Sequence, residues 1–348
     1  MAAVVAVSTN PAIDRIALAD GAAGGGVVRA RELLETPGGK AAHVAMVAAA
    51  LGADVRLVAP AGGELLGRLL AAAGVPASLT PAAAPTRGTY TVVDPAAGDV
   101  LEVHEPSPRL TGAELEQLVA AAGEALAGSA VAVIAGSLPA GAASDLHARL
   151  VQAAARAGTF TVVDTSSAPA LELALAAAPD LVAPNAQEAA ALLGRPVAEG
   201  DIATSAARGP GAPATADGAI APATAAHAGA PATANGAIAP ATAARALRER
   251  GARAVWLSAG ERGSVLADGG GAWRLAASAE GPVVNAVGCG DALLGGLAAG
   301  LARGLPLLDA AALGTAAATD KLRHLHPGRV DAGAVERLLP AVTRDRIG

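Results

Sequence analysis

Cysteine is nearly absent from this 348-residue chain, which has one, Cys289. A lone thiol excludes an internal disulfide and suits a reducing, cytoplasmic setting. Aromatic residues make up 1% of the chain, so its core has to be built from Ala, Val and Leu. Charge is sparse as well, at 16% of residues with a formal net charge of −6. No Lys/Arg-rich run is present, which argues against nucleic acid as a partner. No uninterrupted apolar run reaches membrane-spanning length, so no membrane association is expected. Residues 1–7 lack the basic region of a secretory signal and read as a first strand. What remains is 53% hydrophobic with a mean hydropathy of +0.44, enough for one large α/β domain or two smaller ones.

Short β-rich apolar runs alternate with Ala/Leu-rich stretches. The pattern predicts strands over 4–8, 54–59, 130–135, 159–164, 180–183 and 254–259. It predicts helices over 41–51, 64–73, 111–126, 144–157, 168–177, 186–193, 243–250, 291–303, 309–322 and 334–339. Such alternation implies an α/β fold: a mainly parallel sheet with helices on both faces. One part breaks the rhythm. Residues 89–94 and 100–104 alternate in period 2 around the turn at 95–99, an antiparallel hairpin that reads as part of a small β lid. Residues 200–245 stand apart too. The segment 211–226, GAPATADGAIAPATAA, returns at 229–244 with Asn235 in place of Asp217. So little charge and bulk cannot offset the entropy of ordering, and the segment reads as a low-complexity repeat insert in a surface loop.

The densest chemistry lies in Val287-Gly288-Cys289-Gly290-Asp291, followed by an apolar run that reads as a helix. A helix beginning there turns unpaired N–H groups and its positive end toward a loop whose glycines let an anion approach. With a carboxylate alongside, the segment suits phosphoryl transfer; read blandly, Asp291 only caps a helix. Polar groups also fall after several predicted strands, where ligands sit in wound α/β sheets: Gly136-Ser137-Leu138-Pro139, Asp164-Thr165-Ser166, Pro184-Asn185 with Glu188, and Ser258 to Gly263. Pro37-Gly38-Gly39-Lys40 opens a helix, with Lys40 either a charge at a site or a solvated lysine.

Together with Ser8-Thr9-Asn10-Pro11-Ala12-Ile13-Asp14 and Thr86-Arg87, these segments give the chain its resemblance to the ribokinase-like (PfkB-type) carbohydrate kinases. It is most similar to the branch of 1-phosphofructokinase, tagatose-6-phosphate kinase and the minor 6-phosphofructokinase. The resemblance covers nearly the whole chain outside the repeats. It implies one kinase domain over 1–348, with a β lid from about 12–36 and 86–105. It implies Asp291 as catalytic base and the backbone of Gly288, Cys289 and Gly290 as anion hole. Asp14, Gly38 and Gly39 then lie at the sugar, with Lys40 and position 43 beside them. Arg29, Arg87 and Ser137 match positions that bind a phosphate already on the substrate. Asn185, Ser258, Gly260 and Gly263 match the ATP site, and Glu188 holds Mg²⁺ through water. The implied activity is ATP- and Mg²⁺-dependent phosphorylation of a ketohexose phosphate, in a chain that pairs through its lid as a homodimer.

Each position also has a bland reading. Arg29 and Arg87 read equally as solvated arginines, Ser137 and Asp14 as turn residues, and Asn185 with Glu188 as a helix cap and its acid three residues on. The chain departs from the family pattern at His43, where an asparagine is usual, and at Ala41, Ala183, Ala286 and Val27. His43 reads in three ways: a neutral partner of one sugar hydroxyl, a charge reaching toward the substrate phosphate with a limb near pH 6.5, or packing under the lid. Two other functions stay open: a kinase of an unphosphorylated sugar or nucleoside, and a sugar-phosphate-binding regulator without turnover. The two arginines weigh against the first and the retained Asp291 against the second.

Overall fold

Strands covered by helices on both faces have no solvent side, so their sequences carry almost no polar interior residue. The first strand, β1 (Val4–Ser8, VVAVS), is buried along its whole length. The structure is a computed structural model that describes residues 3–21, 27–94, 97, 99–198, 236–279 and 281–347. After β1 come β2 (Ala12–Leu18), β3 (Glu32–Gly38), α1 (Lys40–Ala50), β4 (Val55–Ala61), α2 (Leu65–Ala72) and β5 (Ala77–Pro81). The hairpin β6 (Arg87–Asp94) and β7 (Asp99–His104) leads into α3 (Gly112–Leu126), β8 (Val131–Ala135), α4 (Leu146–Ala157), β9 (Phe160–Asp164) and α5 (Ala168–Ala176). Next are β10 (Leu181–Val182), α6 (Ala186–Leu193), α7 (Pro240–Glu249), β11 (Ala254–Ser258), β12 (Ser264–Asp268) and β13 (Gly271–Ala276). The chain ends with α8 (Cys289–Ala302), α9 (Leu307–Lys321), α10 (Ala332–Leu338) and β14 (Thr343–Arg346).

Ten strands form one sheet in the order β14-β13-β12-β11-β10-β9-β8-β1-β4-β5. The run from β11 to β5 is parallel, so its carboxyl ends share one edge. At the other end β12, β13 and β14 are antiparallel. One apolar cluster, with α1, α8 and α9 at its heart, covers one face; α3, α4, α5 and α7 build the other. The fold is the mainly parallel, doubly covered sheet expected. The predicted hairpin forms as well and gains two partners, giving a second sheet ordered β3-β2-β6-β7. Its outer face leaves Leu33, Leu101 and Val103 more than half exposed, with Tyr90 beside them.

Small residues set how closely the helices pack. A Cβ at Gly295 of α8 would lie 2.6 Å from Val47 Cβ of α1, and one at Gly296 would lie 2.6 Å from Gly314 Cα of α9. Thus α8 is wedged between α1 and α9 at a spacing that only glycine permits. The low aromatic content and the glycine-rich helix serve the same end: α1 and α8 are brought close enough for side chains near their first turns to touch.

The repeat insert lies largely outside the described residues, but its two ends are described. Ala198 N donates to Ile238 O at 2.8 Å, and Ile238 N to Pro196 O at 2.9 Å. Residues 236–244, expected to belong to the insert, are part of the fold. Pro240 opens α7, where its missing N–H costs nothing, and Ala243, Ala244 and Leu247 are buried. Since the ends already meet, replacing residues 200–235 with a short Gly-Ser link is expected to leave the melting temperature unchanged or slightly raised. Loop closure costs only about 0.6 kcal/mol per doubling of length. A loss of several degrees in a thermal melt would show that the repeats support the fold.

Candidate active site

Gly288 caps α8 at φ 85°, and a Cβ there would meet Pro327 Cβ at 2.6 Å. Glycine is therefore required both for the turn and for the fit against the segment after α9. Three residues on, Asp291 sits in the first turn of α8, at the positive end of the helix, and is buried. Of the amides read as an anion cradle, Cys289 N donates to Ala286 O at 3.3 Å, a long bond that a stronger acceptor would displace. The Cys289 thiol is pushed up to about 11 by burial, so it is not a nucleophile at neutral pH.

Asp291 does not stand alone. Its Oδ2 lies 2.7 Å from His43 Nδ1, and His43 Nε2 lies 2.7 Å from Asp14 Oδ2. All three side chains are buried. Thr89 of β6 donates its hydroxyl to Asp14 Oδ1 at 2.5 Å, and a Cβ at Gly38 would overlap that same oxygen. The cluster thus draws one residue from each of β2, α1 and α8, with Gly38 of β3 making room and Thr89 fixing the carboxylate. Only the imidazolium gives both ring nitrogens a proton to donate; in a neutral ring one lone pair would face a carboxylate oxygen. Burial alone would lower the His43 pKa, but the Asp14 charge and the bonds to Asp14 and Asp291 outweigh it and push it up to about 10. Burial likewise pushes Asp14 up, yet the charge and bond of His43 prevail and hold it below the usual carboxylate range. Sequence reasoning aimed His43 at the sugar, at a phosphate or into packing; the structure aims both its nitrogens at carboxylates.

One turn earlier on α1, Lys40 Nζ lies 2.6 Å from Asp164 Oδ1 at the end of β9 and 3.9 Å from Glu188 Oε1. Burial opposes its charge, but Asp164 and Glu188 outweigh burial and hold its pKa above the ordinary lysine value. Asn185 and Glu188 form the capping box of α6: Asn185 Oδ1 accepts from Glu188 N at 2.8 Å, and Glu188 Oε2 accepts from Asn185 N at 2.9 Å. The cap reading of this pair holds, and the cap leaves Glu188 Oε1 toward Lys40. Ser258 N donates to Pro184 O at 3.1 Å, which places Ser258 beside Asn185. Gly260, at φ 60°, opens the 3₁₀ turn after β11, and Gly263, at φ 88°, caps it.

On the other side, Asn10 Nδ2 donates to Ser137 Oγ at 2.9 Å and Thr9 Oγ1 to Ser137 O at 2.8 Å. Arg87 starts β6 with its Nε buried and unpartnered, in the field of Asp14 and Glu105. Burial pushes its pKa down from the ordinary value. Arg29 is exposed ahead of β3 and takes no part in the contacts that tie these groups together. Sequence reasoning passed over Thr89, visible only as a strand residue; it singled out Asp164-Thr165-Ser166 as a polar strand end without foreseeing that Asp164 pairs with Lys40. It also passed over Lys321, the buried last residue of α9.

Comparison with known proteins follows the same outline. The model of the pfkB family of carbohydrate kinases matches residues 1–215 and 223–325, breaking within the repeats. A 1-phosphofructokinase of Rhodobacter capsulatus is 31% identical over 328 residues, 93% of this chain and 92% of that protein. An ATP-dependent 6-phosphofructokinase isozyme 2 of Mycobacterium tuberculosis is 35% identical over 172 residues, 47% of this chain and 49% of that protein. The crystal structure of Escherichia coli phosphofructokinase-2 in complex with fructose-6-phosphate shares the fold. It matches at a TM-score of 0.78 with 24% identity, covering 98% of this chain and 99% of that one. Among the described residues no helix is long and apolar enough to cross a membrane.

Proposed function

The chain belongs to the pfkB family of carbohydrate kinases, and on that premise we propose that it moves the γ-phosphoryl group of ATP to a hydroxyl of a ketohexose phosphate, as a 1-phosphofructokinase does. One observation carries the reading: a buried carboxylate, Asp291, stands at a glycine-capped helix start and faces a second carboxylate, Asp14, across His43. Asp14 holds sugar hydroxyls, oriented by Thr89, and the backbone of Gly38 and Gly39 closes against the ring. Asp291, with Oδ2 held by His43, takes the acceptor proton on Oδ1. The oxygen so freed attacks the γ-phosphoryl in line as the bond from Pγ to the β-phosphate oxygen breaks and ADP leaves, and the N–H groups of Gly288, Cys289 and Gly290 receive the developing charge. Asn185, Ser258, Gly260 and Gly263 hold the nucleotide, and Lys40 adds positive charge between it and the sugar. The small sheet serves as a lid that excludes water.

The donor set fits Mg²⁺. Among the described residues no group of three or more acidic, His or Cys side chains forms a cage. Magnesium is usually bound through one or two carboxylates, waters and substrate phosphates. Burial raises the Glu188 carboxyl above its usual range, a cost that a nearby cation relieves. When bound, the ion supplies charge for the nucleotide phosphates, and Glu188 Oε1 would hold its waters.

Arg87, Ser137 and Arg29 are assigned to the phosphate already on the sugar. The buried Arg87 Nε has a donor to give, and Ser137 Oγ, accepting from Asn10, keeps its own proton to donate. Losing one charge-assisted contact costs about 1.5–3 kcal/mol. Arg87→Ala is accordingly expected to raise KM for the sugar phosphate roughly 10- to 100-fold and leave KM for ATP unchanged; equal effects on both substrates would remove the assignment. The reading as a whole is tested by ADP release over fructose 1-phosphate, fructose 6-phosphate, tagatose 6-phosphate, fructose and a nucleoside. Fructose 1-phosphate is expected to give the highest kcat/KM, and a preference for an unphosphorylated substrate would overturn the proposal. The exposed apolar face of the small sheet fits pairing with a second copy; a monomer in sedimentation at micromolar concentration would exclude it.

A further inference from the structure

Of the 25 lysines and arginines in this chain, only Lys40 and Lys321 are lysines. Where any surface cation suffices, the chain carries arginine; lysine is kept where a compact ammonium is needed and a planar fork is not. Lys321, the last residue of α9, is 0% exposed. Its Nζ donates to Asn285 O at 2.7 Å and to His324 O at 3.0 Å. The partners holding it are backbone carbonyls. Burying such a charge is expensive, so its retention needs a reason.

The two carbonyls belong to the two sides of one clamp. On one side, residues 284–288 lead into the start of α8; on the other, 322–328 follow α9. Val284 N donates to Leu322 O at 2.7 Å, Asn285 Nδ2 donates to Leu325 O at 2.8 Å, and Gly288 packs on Pro327. Asn285 Oδ1 accepts from Val287 N at 2.9 Å, which shapes the cradle loop itself. We infer that Lys321 is a built-in monovalent cation that closes this clamp and sets a fixed positive charge behind the phosphoryl cradle. The inference rests on the proposed role of Gly288–Gly290. Preorganised charge behind a developing anion is worth most where water is excluded.

The charged and titratable groups facing Lys321 are Cys289 and Asp291 of α8, and His324 and His326 of the segment after α9; Asp320, its neighbour on α9, is paired with His324 at 3.0 Å. Burial lowers the Lys321 pKa to about 8, against the pull of Cys289 and Asp291, and burial lowers His326 to about 4. Lys321 is therefore mostly charged at neutral pH, and His326 beside it is neutral.

Carbonyl oxygens are also what hold potassium and ammonium. Lys321→Ala leaves the carbonyls and a channel that such an ion fills, whereas Lys321→Met leaves the carbonyls covered. Wild-type turnover is expected to be the same in sodium, potassium and ammonium chloride. Lys321→Ala is expected to lower kcat about tenfold or more, with KM for the sugar phosphate within about threefold. Potassium or ammonium, but not sodium or choline, should restore most of it. Lys321→Met should show the loss without the rescue. A kcat near wild type in either variant, or a loss in well-folded Lys321→Ala that no cation lifts, would overturn the inference. Should neither variant fold, the wild-type protein decides. Labelled lysine gives two side-chain signals, assigned through Lys40→Arg, and the Lys321 midpoint should rise when ADP and aluminium fluoride are added. An unmoved midpoint overturns it. Asp291→Asn, assayed alongside, separates the two failures: an active Asp291→Asn enzyme removes the reading of the site, while an inactive one beside wild-type Lys321 variants removes only the internal cation.

Discussion

Asp291→Asn is expected to lower kcat by about 10²- to 10⁴-fold, the range that a positioned base contributes, while both KM values stay within a few-fold. The amide keeps the shape of the carboxylate and its place in the first turn of α8. Its oxygen still accepts from His43 Nδ1, the partner of Asp291 at 2.7 Å. What it loses is the ability to take a proton from the acceptor hydroxyl. Because His43 remains charged and paired with Asp14, the fold should be preserved and the melting temperature little changed. Asp14→Asn makes the contrast. It disturbs the group bonded to Thr89 and His43 on the sugar side, so its main effect should fall on KM for the sugar phosphate. Single-turnover measurement of the chemical step separates the two. If Asp291→Asn stays within a few-fold of wild-type kcat, the base lies elsewhere and the reaction scheme fails with it.

The parts of this molecule that were legible in the sequence are those written locally. The central strands are short Val/Ala/Leu runs, and the pattern places β1, β8 and β9 to within a residue. The capping box of α6 is an Asn-x-x-Glu visible in the string, and the start of α8 is a glycine pair before an acid and an apolar run. The antiparallel edge β12–β14 was missed, although Gly269-Gly270 marks its first turn, because its last strand, Thr343–Arg346, is a charged, exposed tetrapeptide with no apolar period. The partners of the lid hairpin, β2 and β3, were not separable from loops by alternation, since β2 is polar where it meets the site. The start of α7 was hidden because Pro-Ala-Thr-Ala-Ala occurs twice, and only the second copy is followed by the Arg-Ala-Leu-Arg-Glu run that completes a helix. Non-local charge could not be read at all. Nothing near position 321 announces a buried lysine, and nothing near 43 says that two carboxylates, 29 residues before it and 248 after it, will close on the ring. Those facts come from α1, α8 and α9 packing at glycine distance.

His43→Leu is expected to be the change that harms folding and catalysis together. It leaves Asp14 and Asp291 buried and facing each other without the charge that pairs them, and removing one member of a buried charged group costs about 3–5 kcal/mol. His43→Asn is the informative companion, because it keeps a hydrogen-bonding group and removes only the charge. The sign of its pH dependence follows from the direction of the shift. A histidine whose pKa rises from 6.5 to about 10 on folding stabilises the protein fully below pH 6.5, and the contribution fades as pH climbs and is gone above about 10. Asp14, held low, works in the opposite sense: its contribution is present above the ordinary carboxylate range and lost on acidification. Wild-type melting temperature should therefore fall between pH 7 and 10, and the difference between wild type and His43→Asn should shrink steadily over that interval. Taking the difference cancels Lys321 and every other group titrating there. The same geometry revises the limb near pH 6.5 expected from sequence. With His43 locked between two carboxylates, kcat/KM should show no histidine limb at 6.5; the His43 charge is lost only as pH approaches 10, above the decline near pH 8 that the Lys321 ammonium predicts. Parallel melting curves for the two proteins across pH 7–10, together with a wild-type rate that drops through 6.5, would mean that His43 is neutral and that the carboxylates are held some other way.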